Sequence, residues 1–217
     1  QYAGAPSSPV NITFIFDNAK LAGSSNTIPA MKAGNFPSGS KLTIILVNGS
    51  ELMGKGGDGG KGADGSEFSS SSPTSSPGNG LNGGVVYDAE GVDTDIYFSG
   101  STTSSAYPTA NGYILAPSGG DGGFIWQQQG PSFYRGGRGG DGGDGDFIGA
   151  GGAAGSSFGI SSGTDGTSDR LVGNFGVDGV ANDAGPGFAG KGVVDNGAEV
   201  NFFGANSARY INGRGDH

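Results

Sequence analysis

Gly54-Lys55-Gly56-Gly57-Asp58-Gly59-Gly60-Lys61-Gly62-Ala63-Asp64-Gly65 sorts into three edges when the chain turns once every three residues. Gly56, Gly59, Gly62 and Gly65 fall on one edge and Gly54, Gly57, Gly60 and Ala63 on the second, while Lys55, Asp58, Lys61 and Asp64 alternate in sign along the third. Three residues per turn is polyproline II geometry, about 3.1 Å per residue with no internal hydrogen bond, so each amide must pair with a neighbouring segment or with water. Two bare edges let neighbouring backbones come close. The sorting recurs at 135–146, where Gly136, Gly139, Gly142 and Gly145 form one bare edge, Gly137, Gly140 and Gly143 the other, and Arg135, Arg138, Asp141 and Asp144 the charged one. Shorter runs follow at Gly149, Gly152 and Gly155, at Gly173, Gly176 and Gly179, and at Gly187 and Gly190. The spacing predicts a mainly irregular and β fold, in which short β-strands lead into a bundle of polyglycine II helices with little or no α-helix. Collagen uses the same geometry, but these runs are short, lack proline and place glycine at two positions of three.

Glycine supplies 49 of 217 residues, which alone would suit a flexible low-complexity chain. Against that reading, 13 Phe, 7 Tyr and one Trp stand between runs of strict period. The absence of cysteine excludes disulfides and thiolate metal sites. A formal charge of −9 without basic clusters argues against nucleic acid and anionic membrane. No stretch approaches the ~20 apolar residues of a membrane span, and none reads as a signal peptide. A first residue of Gln1 rather than Met suggests a processed or excised piece.

The opening of the chain reads as β-structure. Val10, Ile12, Phe14 and Phe16 alternate with Asn11, Thr13, Ile15 and Asp17, which predicts a strand with one buried face, and Leu42–Val47 is a second, almost wholly apolar strand. Gly23–Ser40 reads as loop, and Asn48-Gly49 as a tight turn. This organisation gives a small β-rich lead-in over 1–50 and a glycine-rich domain over 51–217, or the two as one continuous domain. Residues 48–60 match 111–123, with Leu52 against Leu115 and Gly56-Gly57-Asp58-Gly59-Gly60 against Gly119-Gly120-Asp121-Gly122-Gly123. A fainter third copy runs from Val200 to Asp216. The copies are irregularly spaced, so no fixed-period solenoid is expected.

Three intervening stretches, 66–81, 124–134 and 156–171, are rich in Ser, Pro, Gln and aromatic residues and read as loops on a rigid scaffold. The candidate binding residues on loops and between runs are Phe68, Tyr107, Trp126, Gln127, Gln128, Gln129, Phe133, Tyr134, Phe158 and Ile160. Large aromatics do not fit between close-packed glycine backbones, and at loop tips they serve as recognition anchors; plain core filling is the competing use.

Chemical motifs are weak. Gly155-Ser156-Ser157-Phe158-Gly159 fits a nucleophile elbow, yet the only histidine is His217, the last residue. Asp141, Asp144 and Asp146 in a glycine run nearly fit a calcium-binding nonapeptide, a motif that works by stacking tandem copies; solvated charges on an exposed edge are the simpler reading, and no metal or cofactor is expected. Four glutamates without recognisable context do not make a hydrolase. Arg214-Gly215-Asp216 falls within the third repeat copy, which already accounts for it.

Strand–turn–glycine-run units alternating with aromatic loops, and the closing Gly187-Phe188-Ala189-Gly190-Lys191-Gly192-Val193-Val194-Asp195-Asn196-Gly197, resemble the glycine-rich receptor-binding ends of bacteriophage tail proteins. The run from Phe36 to Gly60 looks most like lambda-like tip attachment proteins, and the style is similar to the adhesins of T-even long tail fibres. The resemblance covers residues 9–217. It implies a non-enzymatic adhesin at the distal tip of a tail or fibre, which binds an outer-membrane protein or surface glycan of a bacterial host. It also implies contacts with other tail proteins, a homotrimer, and no membrane insertion. The glycine runs here are shorter and more charged than in T-even adhesins. Two rival readings are an ice-binding polyglycine II protein, against which the charged outer edges argue, and a structural fibre segment, for which aromatic loops are superfluous.

Overall fold

The structure, a computed structural model, describes residues 6–64, 75–97, 99–101, 109–115, 119–124, 127–128, 134–135 and 181–203. Among them there is no helix, and the main sheets are parallel.

The chain visits three walls in the same order on each circuit. The first circuit contains β1 (Asn11–Asp17), β2 (Lys20–Ala22) and β3 (Met31–Lys32), and the second β4 (Lys41–Val47), β5 (Glu51–Met53) and β6 (Tyr87–Asp88). The third begins with β7 (Asp93–Tyr97), continues through an antiparallel pair, β8 (Ser99–Ser101) with β9 (Thr109–Asn111), and reaches β10 (Tyr113–Leu115). A second antiparallel pair follows, β11 (Gln127–Gln128) with β12 (Tyr134–Arg135), before β13 (Val193–Val194) ends the circuit and β14 (Val200–Phe203) opens a fourth. The walls are β1-β4-β7-β14, β2-β5-β10 and β3-β6-β13. Parallel neighbours need a long crossover. Here the other two walls supply it, and helices are not required.

One core fills the space between the walls. In the first wall, register places Phe14, Ile44, Ile96 and Phe202 in one inward row and Ile12, Leu42, Thr94 and Val200 in the next. Leu52 and Ile114 enter from the second wall, Tyr87 and Val193 from the third, and all four are buried. The inner strand β4 is buried on both faces, as its continuous apolar sequence anticipates. The outer face carries a row of its own, Ile15, Ile45, Tyr97 and Phe203, in which the Tyr97 and Phe203 rings stack 4.4 Å apart.

Alternation in β1 predicts one buried face, and the structure modifies this. Ile12 and Phe16 are half-buried, but Phe14 stays 38% exposed because β1 is the edge strand of its wall. The Asn48-Gly49 turn is present, with φ of 53° and 73°. It joins strands of different walls, so it turns a corner where a hairpin would have been antiparallel. Asn18, one circuit earlier, has φ 49° at the corresponding corner, and buried Ser50 ties the two levels, its Oγ accepting the Ala19 N–H at 3.0 Å and lying 2.8 Å from Phe16 O.

The sequence repeat is real in space but slipped by one residue. Leu52 pairs with Ile114, not Leu115. Side chains alternate faces along a strand, so the slip puts fully buried Ile114 into the core and leaves Leu115 half-buried. Copies are irregularly spaced because the chain departs between the second and third walls on every circuit, over 23–30, then 54–86, then 116–192.

Candidate functional site: the glycine runs and the end where the chain leaves them

On the second circuit the chain leaves β5 along 54–64 and returns along 78–86; on the third it leaves β10 through 119–124 and returns along 184–191. These four runs are bonded backbone to backbone, and bonds to a given neighbour recur at multiples of three residues. Gly54, Gly60 and Ala63 donate to the carbonyls of Leu115, Asp121 and Phe124 at 3.3, 2.8 and 3.0 Å. Gly78, Leu81 and Gly84 donate backwards to Lys61, Asp58 and Lys55 at 2.7, 2.8 and 2.8 Å. Gly80, Gly83 and Val86 donate in another direction, to Gly185, Phe188 and Lys191 at 3.0, 2.9 and 2.9 Å. Gly120 and Gly123 donate to Leu81 and Gly78, and Ala184 and Gly187 to Gly123 and Gly120. A strand alternates between two sides. These runs address different neighbours at spacings of three residues.

Close approach is what requires glycine here. A Cβ on Gly60 would lie 1.9 Å from the Gly78 carbonyl oxygen, and one on Gly120 2.1 Å from that of Asp58. The obstructing atoms are backbone, which has no rotamer to yield. Along 54–64, Gly56 and Gly62 are buried, Gly59 is half-buried, and Ala63 is fully buried. The third edge behaves as its sequence suggests: Lys55 pairs with Asp58 and Lys61 with Asp64, each at 2.9 Å and each only partly shielded. Such pairs contribute little stability.

The return run 78–86 is the feature sequence reasoning missed. The loop expected over 66–81 ends earlier than its sequence suggests, since from Gly78 its residues belong to the bonded runs. The signal was available, since Gly80 and Gly83 alternate at period three with Asn79 and Asn82. Those asparagines complete the pairing with 184–191, as Asn79 Oδ1 accepts the Gly185 N–H at 2.9 Å and Asn82 Oδ1 that of Phe188 at 2.8 Å.

Both long excursions leave and rejoin the runs at the same end. Asp64 and Ser75, which flank 65–74, are tied by two hydrogen bonds of 2.9 Å. Asn182, which closes the second excursion, donates from Nδ2 to the Gly122 carbonyl at 2.6 Å, while Phe124, which opens it, accepts from Ala63. Four chain ends therefore meet around Ala63 and Phe124.

The candidate binding residues distribute accordingly. Phe68 belongs to the first tethered excursion, and Trp126, Gln129, Phe133, Phe158 and Ile160 to the second; all six lie outside the described residues. Gln127, Gln128 and Tyr134 sit in β11 and β12, with Gln128 opposite Tyr134. Tyr107 belongs to the connection between β8 and β9, which departs from the first wall, and is also outside the described residues. So are Gly65, Gly136, Gly139, Gly142, Gly145 and the calcium candidates Asp141, Asp144 and Asp146. Among the described residues no group of His, Cys, Asp or Glu is placed to hold a metal, and no helix is long and apolar enough to cross a membrane. No family model, no curated protein and no solved structure matches the chain.

Proposed function

We propose that the glycine runs form a polyglycine II bundle, and that the chain is a receptor-binding adhesin of a phage tail or tail fibre, not an enzyme. In this reading the bundle is a scaffold standing on the three-walled coil. The excursions 65–74 and 125–181 contact a bacterial outer-membrane protein or surface glycan, with Trp126 and Tyr134 as principal anchors. The observation that carries it is the convergence of both excursions on one end of a backbone-bonded support, the arrangement in which loops become recognition surfaces. Location at the distal tip of a virion, contact with other tail proteins and assembly as a homotrimer belong to the same proposal.

The test is binding of labelled protein to a panel of bacterial strains. At least one strain is expected to retain the protein, and Trp126→Ala or Tyr134→Ala to reduce retention about tenfold or more, the effect of removing one anchor worth 1.4 kcal/mol. Retention that neither substitution changes would contradict the assignment of the site.

A further inference from the structure

We infer a saccharide-binding groove on the flank of the glycine runs, separate from the excursions. An open groove of about 350 Å³ lies between the first-circuit connection, represented by Asn26, and the two returning runs, represented by Asn82, Val85, Phe188, Ala189 and Lys191. Its volume suits a small ligand.

Two amides line it, each with one end bonded to backbone and the other unused. Asn26 donates from Nδ2 to the Asn82 carbonyl over a long, exposed 3.4 Å, an orientation that leaves Asn26 Oδ1 as an acceptor with no partner among the described residues. Asn82 Oδ1 accepts the Phe188 N–H at 2.8 Å, which leaves Asn82 Nδ2 as a donor in the same position. A donor and an acceptor, both held by backbone, thus lie beside an aromatic ring that is 48% exposed. A pyranose matches that set: its C–H face packs on the Phe188 ring while vicinal hydroxyls bridge the two amides, each hydroxyl being able both to give and to accept. No carboxylate lines the groove, so neither a metal ion nor a cationic ligand is favoured. The inference takes from the adhesin reading only the source of the sugar, a bacterial surface glycan.

Saturation-transfer NMR with glucose, galactose, mannose, N-acetylglucosamine and N-acetylgalactosamine tests the groove on the full chain. At least one of these sugars is expected to receive saturation from the wild-type protein. Phe188→Ala should weaken that sugar about tenfold or more, the scale of 1.4 kcal/mol, and Phe188→Tyr should retain it. Asn82→Asp keeps the oxygen that holds the Phe188 amide but removes the Nδ2 donor, so it should weaken binding with an unchanged thermal midpoint. Absence of saturation for all five sugars overturns the groove, as does saturation that both Phe188→Ala and Asn82→Asp preserve. Cell binding that fails with wild-type protein counts against the loop proposal alone, because the sugar measurement does not involve cells.

Discussion

The three-walled coil and the glycine runs are continuous in one chain but are held together by opposite means. In the coil, side chains do the packing: Leu42, Ile44, Ile96, Leu52 and Ile114 close the interior, and backbone bonds run between neighbours in a wall. Where the runs touch, at Gly57, Gly60, Gly80, Gly120, Gly123 and Gly187, carbonyls occupy the positions where a Cβ would be, and side chains are left to the remaining edges. Apolar burial therefore carries the first region, and hydrogen bonds between close backbones carry the second. The lesson is that a glycine-rich segment can be as strictly specified as a core strand, with the specification written in what is absent.

The largest expected effect comes from putting a side chain where none fits. Gly60→Val places its Cβ 1.9 Å from the Gly78 carbonyl oxygen, and since no rotamer moves a Cβ, the runs should lose more than about 4 kcal/mol. Hydrogen exchange should then be fast over 78–86 while β4 and β7 keep their protection. If the whole chain unfolds together, the two regions are one cooperative unit.

The reverse experiment is Ile96→Ala, which opens a cavity in the coil and should cost about 2–5 kcal/mol in chemical denaturation. Because the runs spring from β5, β6, β10 and β13, they should loosen with it. Runs that stay protected in a destabilised coil would show that the bundle folds without its base.

A smaller effect is confined to the coil. Burial pushes the Tyr87 phenol up to about 12, against a hydrogen bond to Thr94 of 2.8 Å that acts the other way. The folded state thus favours the neutral phenol, whose contribution is complete below the ordinary value near 10 and disappears as pH rises through about 12. A shift of that size corresponds to about 2–3 kcal/mol. Stability should decline over that window, and Tyr87→Phe should remove that part of the decline, as read from denaturation midpoints at successive pH values. Identical alkaline profiles for the two proteins would contradict it.

Much of this contrast was legible in the sequence. The three-edge sorting of 54–65 anticipated a charged edge and the tight approach at Gly57 and Gly60, because period three is a local property; the pairing of Lys55 with Asp58 and of Lys61 with Asp64 along that edge it did not foretell. The apolar run at Leu42–Val47 likewise announced an inner strand. What sequence did not supply was non-local. The parallel stacking of β1, β4, β7 and β14 depends on pairings across 30 residues or more, so the circuits were hidden by their unequal lengths. The repeat was aligned on Leu52 and Leu115 because composition matched best there, whereas the core selects by face and takes Ile114. The return run was obscured by the serines and prolines before it, although Asn79 and Asn82 carried its period.

Residue-resolved amide exchange over 78–86 decides whether the glycine runs make the proposed turn every three residues. Six amides, those of Gly78, Gly80, Leu81, Gly83, Gly84 and Val86, donate to carbonyls, whereas Asn79, Asn82 and Val85 have no acceptor for theirs among the described residues. A three-residue turn gives slow exchange at the six and fast exchange at every third residue, Asn79, Asn82 and Val85. Protection that alternates with period two, or uniformly fast exchange across the run, would contradict it.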